Sequence, residues 1–86
     1  MVEKSVMVRA ATGLHARPVS VLVNMVKDYE GTAELVKDEK SANLKSSIRI
    51  MALRVKTGDE VKVRVEGPEE ESVCAKIVGL IAGLKD

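Results

Sequence analysis

Apolar residues follow two rhythms along the chain. Val61, Val63 and Val65 alternate with Lys62, Arg64 and Glu66, the pattern of a strand with one buried and one wetted face. Val2 to Arg9 alternates as well, placing Val6 and Val8 inward and Met7 on the outer face, until Gly13 breaks the run. Thr32 to Lys37 predicts a second strand, Asp38 and Glu39 a turn, and Ser41 to Leu44 a short third strand. The other rhythm is helical. Val21, Leu22, Met25, Val26 and Tyr29 predict a helix from about Pro18 to Tyr29, with Gly31 as its stop. Ser46 reads as the N-cap of a short helix reaching about Leu53, without a capping box because Arg49 stands three residues on. After the turn Thr57-Gly58-Asp59 and the last strand, Gly67-Pro68-Glu69-Glu70-Glu71 suits a helix start, the acidic run answering the helix dipole. Val73, Ile77, Leu80, Ile81 and Leu84 supply that helix's apolar stripe. Gly79 and Gly83 weaken it and are expected to allow close packing.

The order βαββαβα, with one-faced strands and one-striped helices, predicts an α+β fold: an antiparallel sheet with helices on one side. No linker or repeat interrupts it, so residues 1–86 are expected to form a single domain.

Composition then removes function classes. No stretch approaches the roughly 20 apolar residues a membrane span needs, and MVEKSV has no apolar secretory region, so the expected location is cytoplasmic. Cys74 is alone, which precludes an intramolecular disulfide and reads as a small buried residue. One His and one Cys make no Cys/His zinc site and no Asp-rich loop is present, so neither metal nor cofactor is expected. A formal charge of +1 and a single aromatic residue, Tyr29, argue against nucleic-acid binding.

The chemistry concentrates in residues 12–20, TGLHARPVS, which hold the only histidine. His15 falls at the entry to the first helix, where first-turn N–H groups lack intrahelical partners and the dipole favours an anion. Arg17 adds a permanent cation whose planar fork suits phosphate, and Pro18 removes an N–H where its loss matters little. Proline also disfavours helical geometry at Arg17, leaving the boundary open by a residue or two. A histidine is largely a neutral nucleophile at cellular pH, and attack on a phosphoryl donor would give a readily transferred nitrogen–phosphorus bond. With no phosphate-binding glycine loop, ATP bound by this chain is not the expected donor, and with no G-x-S-x-G elbow a serine hydrolase is disfavoured. A histidine before a helix can equally be a plain cap or surface residue.

GLHARP at 13–18, NLKS at 43–46, IMAL at 50–53 and GDEVKV at 58–63 together resemble the HPr family, the histidine-containing phosphocarriers of the bacterial sugar phosphotransferase system. The resemblance runs over essentially the whole chain. It implies an open-faced sandwich of sheet order β1-β4-β2-β3 with three helices on one face. It implies a carrier without turnover of its own: enzyme I phosphorylates His15 on Nδ1 at the expense of phosphoenolpyruvate, and enzyme IIA domains receive the group. Ala16 and Arg17 are implied to bind and steady the phosphoryl. Ser46 is implied as a regulatory site for an ATP-dependent HPr kinase/phosphorylase, the serine-phosphorylated form acting with a catabolite control protein. Ser20, Val23, Lys27, Ser47, Ile48, Arg49 and Met51 are implied as the docking surface of a monomer.

Val19, Ser47 and Arg54 depart from the family pattern, which has a small residue, an apolar residue, and a small or acidic one there. All three are expected on or beside the partner-facing surface, where they bear on partner choice more than on chemistry. They also keep open a second reading, an HPr-like binding module for carbon or nitrogen control with little transport role.

Overall fold

A computed structural model describes residues 1–84. Strand β1 (Val2–Met7) leads to helix α1 (Ala16–Val26), the hairpin β2 (Thr32–Lys37) and β3 (Lys40–Asn43), helix α2 (Ser47–Ala52), strand β4 (Glu60–Glu66) and helix α3 (Glu70–Gly83). The sheet is antiparallel in the order β1-β4-β2-β3, so β4 runs between the first two strands. Val6 pairs with Val61, and Val63 and Val65 pair with Leu35 and Ala33. Those side chains share one face and are buried with Leu22, Val26, Leu44, Ile50, Ile77 and Ile81 from the helices. The opposite face carries charge, with Arg64 paired to Glu3 at 2.9 Å. The expected α+β sandwich is what forms.

Local chemistry explains the boundaries. Ser46 Oγ accepts the Arg49 N–H at 3.3 Å, the cap expected of it. Asp38 takes a positive φ of 56° at the β2–β3 turn. The third strand begins one residue earlier than its apolar pattern indicated, at Lys40. Cys74 is buried as expected, its thiol donating to the Val63 carbonyl, and burial pushes its pKa up.

Several expectations need correction. Helix α1 starts at Ala16, two residues before Pro18, because proline at the third helical position costs no intrahelical bond. It also ends at Val26, ahead of Tyr29. Gly31 serves the crossing with Gly67, where a Cβ would strike the Tyr29 ring and the Glu66 carbonyl. Val21 and Met25 point outward, 45% and 40% exposed, because the core side of α1 is Pro18, Val19, Leu22 and Val26. Val19 is thus fully buried, beside the partner-facing surface and not on it, where it backs the cleft between α1 and α2. Gly79 and Gly83 mediate no close packing, since a Cβ at either would meet nothing within 4 Å.

Arg54 follows the cap residue of α2 with φ 55°, in the left-handed region, and its N–H bonds the Met51 carbonyl at 3.1 Å. That is the position where glycine closes a helix without a Cβ penalty. Arg54→Gly should therefore raise the unfolding free energy by about 0.5–1 kcal/mol in urea titration, the relieved strain exceeding the added freedom of the unfolded chain.

Candidate functional site

After β1 the chain is fastened to the segment that precedes β4. Val8 N–H donates to the Asp59 carbonyl at 2.9 Å, and Gly58 N–H returns a bond to the Val8 carbonyl at 2.8 Å. The Thr57 hydroxyl donates to the Ala10 carbonyl. Leu14 N–H donates to the Val55 carbonyl at 3.1 Å, with the Leu14 side chain buried. Gly13 makes this approach possible: its φ is +69°, and a Cβ there would overlap the Val55 carbonyl oxygen. One residue later the chain reaches His15 in a fixed place.

His15 is the N-cap of α1, extended at φ −95° and ψ −173°, with its carbonyl accepting the Val19 N–H at 3.1 Å. Its side chain makes no capping bond, so the half-exposed imidazole is not consumed as a cap. Pro18 has no N–H, which leaves those of Ala16 and Arg17 as the first-turn donors without intrahelical acceptors. No acidic residue occupies that turn, so the positive end of an 11-residue helix is uncompensated. Arg17 is exposed and forms no ion pair among the described residues. His15 and Arg17 line the same concavity at the start of α1, where the two unpartnered N–H groups favour an anion.

The proposed docking residues separate into groups. Ser20, Val23, Ser47 and Met51 join Ala16 and the buried Val19 around a groove of about 240 Å³ between α1 and α2. Asn24 lines it too and was missed in the sequence, as was the outward flank formed by Val21 and Met25. The missed signal was polar spacing: Arg17, Ser20, Asn24 and Lys27 recur every three or four residues and mark the wet side of α1. Ile48 is 81% exposed and Met51 46% on α2, while Lys27 and Arg49 are exposed outside the groove. Ser46 is half-buried at the N-terminus of α2, and Ser47 and Arg54 are exposed.

Charge is distributed more sharply than a net +1 conveys. From Arg9 through Lys27 and from Lys40 through Gly58 there are cations but no carboxylate, and α1 packs on α2. The face built from them is electropositive and fits an acidic partner. No group of three or more metal-ligating side chains occurs among the described residues, and no helix among them is long and apolar enough to cross a membrane.

A family model described as the PTS HPr component phosphorylation site matches residues 2–83. The chain belongs to the HPr family. It is 33% identical to the phosphocarrier protein HPr of Borreliella burgdorferi over the whole of both chains. It is 36% identical to the HPr-like protein Crh of Bacillus subtilis, over 94% of this chain and 95% of that one. A crystal structure of HPr from Thermoanaerobacter tengcongensis superposes with a TM-score of 0.88 at 37% identity, covering 94% and 91% of the two chains. Crh from Bacillus subtilis, described as a swapped, intertwined dimer, superposes at 0.77 with 34% identity, covering 98% and 97%. An HPr phosphocarrier of the phosphotransferase system thus accounts for motif, sheet order and helix placement together.

Two outcomes follow from the loop geometry. Gly13→Ala should lower stability by about 2 kcal/mol in chemical unfolding, through the left-handed backbone and the overlap with Val55. The Asp59 carboxylate, held by the Lys56 N–H at 2.8 Å and by Lys37 Nζ at 3.1 Å, has its pKa lowered, chiefly by the Lys56 bond. A group depressed in the folded state stabilises above its ordinary value and loses that contribution as pH falls below about 4. Melting temperature should therefore drop on that acid limb, and drop less steeply in Asp59→Asn.

Proposed function

We propose that this chain carries a phosphoryl group on His15 between enzyme I and enzyme IIA domains. The observation that supports this most directly is the unused imidazole at the N-cap of α1, beside two free N–H groups and Arg17. The Nδ1 lone pair attacks the donor's phosphorus; the new N–P bond forms as the donor's bond to that phosphorus breaks, and the leaving group departs with the electron pair. The Ala16 and Arg17 N–H groups and the Arg17 guanidinium hold the phosphoryl oxygens, with the helix dipole adding to their pull. An acidic IIA domain then repeats the displacement in the other direction. The stabilisation is electrostatic and preorganised on backbone, so the carrier needs no cofactor to hold the group.

Docking is proposed on α1 and α2. Ile48 and Met51 offer exposed apolar surface, Ser20, Val23 and Ser47 the groove beside it, and Lys27 and Arg49 the basic rim that speeds encounter with acidic partners. Ser46 is proposed as a regulatory acceptor for an ATP-dependent HPr kinase/phosphorylase, giving a form that a catabolite control protein binds. Its hydroxyl already serves as a cap acceptor at a helix N-terminus, where phosphate is locally tolerated. The added charge of about −2 would instead repel acidic relay partners from the basic face. One copy suffices for the relay, and a cytoplasmic monomer is the state proposed. The likeness to Crh and the polar Ser47 in the groove favour, as a second reading, a module that regulates by docking.

Incubation with phosphoenolpyruvate, magnesium and enzyme I should add one phosphoryl group that survives mild alkali and is lost in brief acid, read by intact mass. His15→Ala should take none while keeping its fold. Ser46→Asp should accept the group more slowly, whereas Ser46→Ala should accept it normally and lose about 1 kcal/mol of stability with the cap. No adduct on the wild type, beside a labelled control HPr, would move the assignment to the docking module.

A further inference from the structure

A second concavity meets the site on the side of α1 opposite the α2 groove. About 310 Å³ in volume, it lies between the N-terminal turn of α1 and the last turn of α3. His15, Arg17, Pro18 and Val21 form one wall; Leu80, Gly83 and Leu84 form the other. We infer that this notch receives a bulky apolar side chain from the acidic protein that exchanges phosphoryl with His15, making α3 part of the docking surface. The inference rests on the relay proposed above.

Three observations carry it. The walls are largely apolar, yet Val21 is exposed and Leu80 and Leu84 are only partly covered, so water contacts hydrocarbon beside the reactive nitrogen. Capping such surface is what drives anchor residues into interface pockets. The second observation concerns Gly83. Its φ is not positive, and a Cβ there would meet nothing within 4 Å, so neither backbone conformation nor packing requires a glycine. Glycine disfavours the helix it ends, and at this position it keeps the rim of the notch low. The third is charge. The rim carries Arg17 and the α1 N-terminus, and no carboxylate lines the notch among the described residues. The fitting occupant therefore sets an apolar side chain beside negative charge, which an acidic partner aligned on His15 presents.

The notch narrows on substitution without disturbing the nitrogen. Gly83→Leu has room for its Cβ and favours the helix; Gly79→Leu, one turn earlier, has the same room and helix preference but lies outside the notch. Val21→Ser removes part of the apolar wall. Phosphoryl transfer from phosphorylated enzyme I should show KM raised about tenfold in Gly83→Leu and severalfold in Val21→Ser, with Gly79→Leu like the wild type. The rate at which acid hydrolyses the phosphohistidine should be the same in all four, since His15 is untouched. Unchanged KM in Gly83→Leu and Val21→Ser, or equal losses in Gly83→Leu and Gly79→Leu, would overturn the notch while leaving the relay intact. Self-association of the wild type in sedimentation that Gly83→Leu abolishes would overturn the choice of occupant in favour of a second copy. A wild type that takes no label would instead remove the relay, and this inference with it.

Discussion

The seating of residues 8–14 on the Val55–Asp59 segment is the constraint on which the site depends. Four backbone or hydroxyl contacts span that seam, and the Leu14 to Val55 bond lies one residue from His15. Without it, the imidazole would ride on a loop, and α1 would present its N-terminal N–H groups to no particular atom. Gly13 permits the close approach by lacking a Cβ at a positive φ. Asp59 stiffens the other side of the seam by gathering the Lys56 N–H and the Lys37 ammonium onto one carboxylate oxygen. The histidine is therefore positioned by the sheet core at one remove, through β1 and β4, which share the register Val6 to Val61.

From that seam follow the two properties a phosphoryl carrier needs. One is a local field: an uncompensated helix N-terminus with two donors and a guanidinium favours a doubly charged group without burying it. The other is a surface on which different partners can reach the same nitrogen. The α1–α2 groove, which reaches Ala16, and the α1–α3 notch, which includes His15, lie on different sides of α1, and the absence of carboxylates from Arg9 through Lys27 and Lys40 through Gly58 gives partners one electrostatic address. A net charge near zero conceals this polarity.

Much of this was legible in the sequence because period and punctuation agreed. Val61, Val63 and Val65 alternate so cleanly that only a half-buried strand accommodates them, and Ser46 caps the helix it precedes. Helix α1 was harder to read because apolar residues surround most of it. Val21 and Met25 share the helical spacing of Leu22 and Val26, and spacing alone does not choose between two apolar flanks of one helix; the polar line Arg17, Ser20, Asn24 and Lys27 does. Val19 lies beside the partner-facing surface without being exposed on it: its side chain turns into the core and backs the α1–α2 groove, a placement that its neighbours in the chain do not reveal. The glycines of α3 were read as packing devices, an inference that needs the neighbouring backbone and so lies beyond any single segment. The seam itself was invisible for the same reason: nothing local links Leu14 to Val55.

The central claim is that backbone donors at the start of α1 hold a phosphoryl group on His15. Amide proton and nitrogen shifts, recorded before and after phosphorylation, test it most directly. The Ala16 and Arg17 amide protons should move strongly downfield, with Val61, Val63 and Val65 in the sheet unmoved. A phosphorylated His15 that leaves the Ala16 and Arg17 amides in place would show that the group points away from the helix, and would contradict the claim.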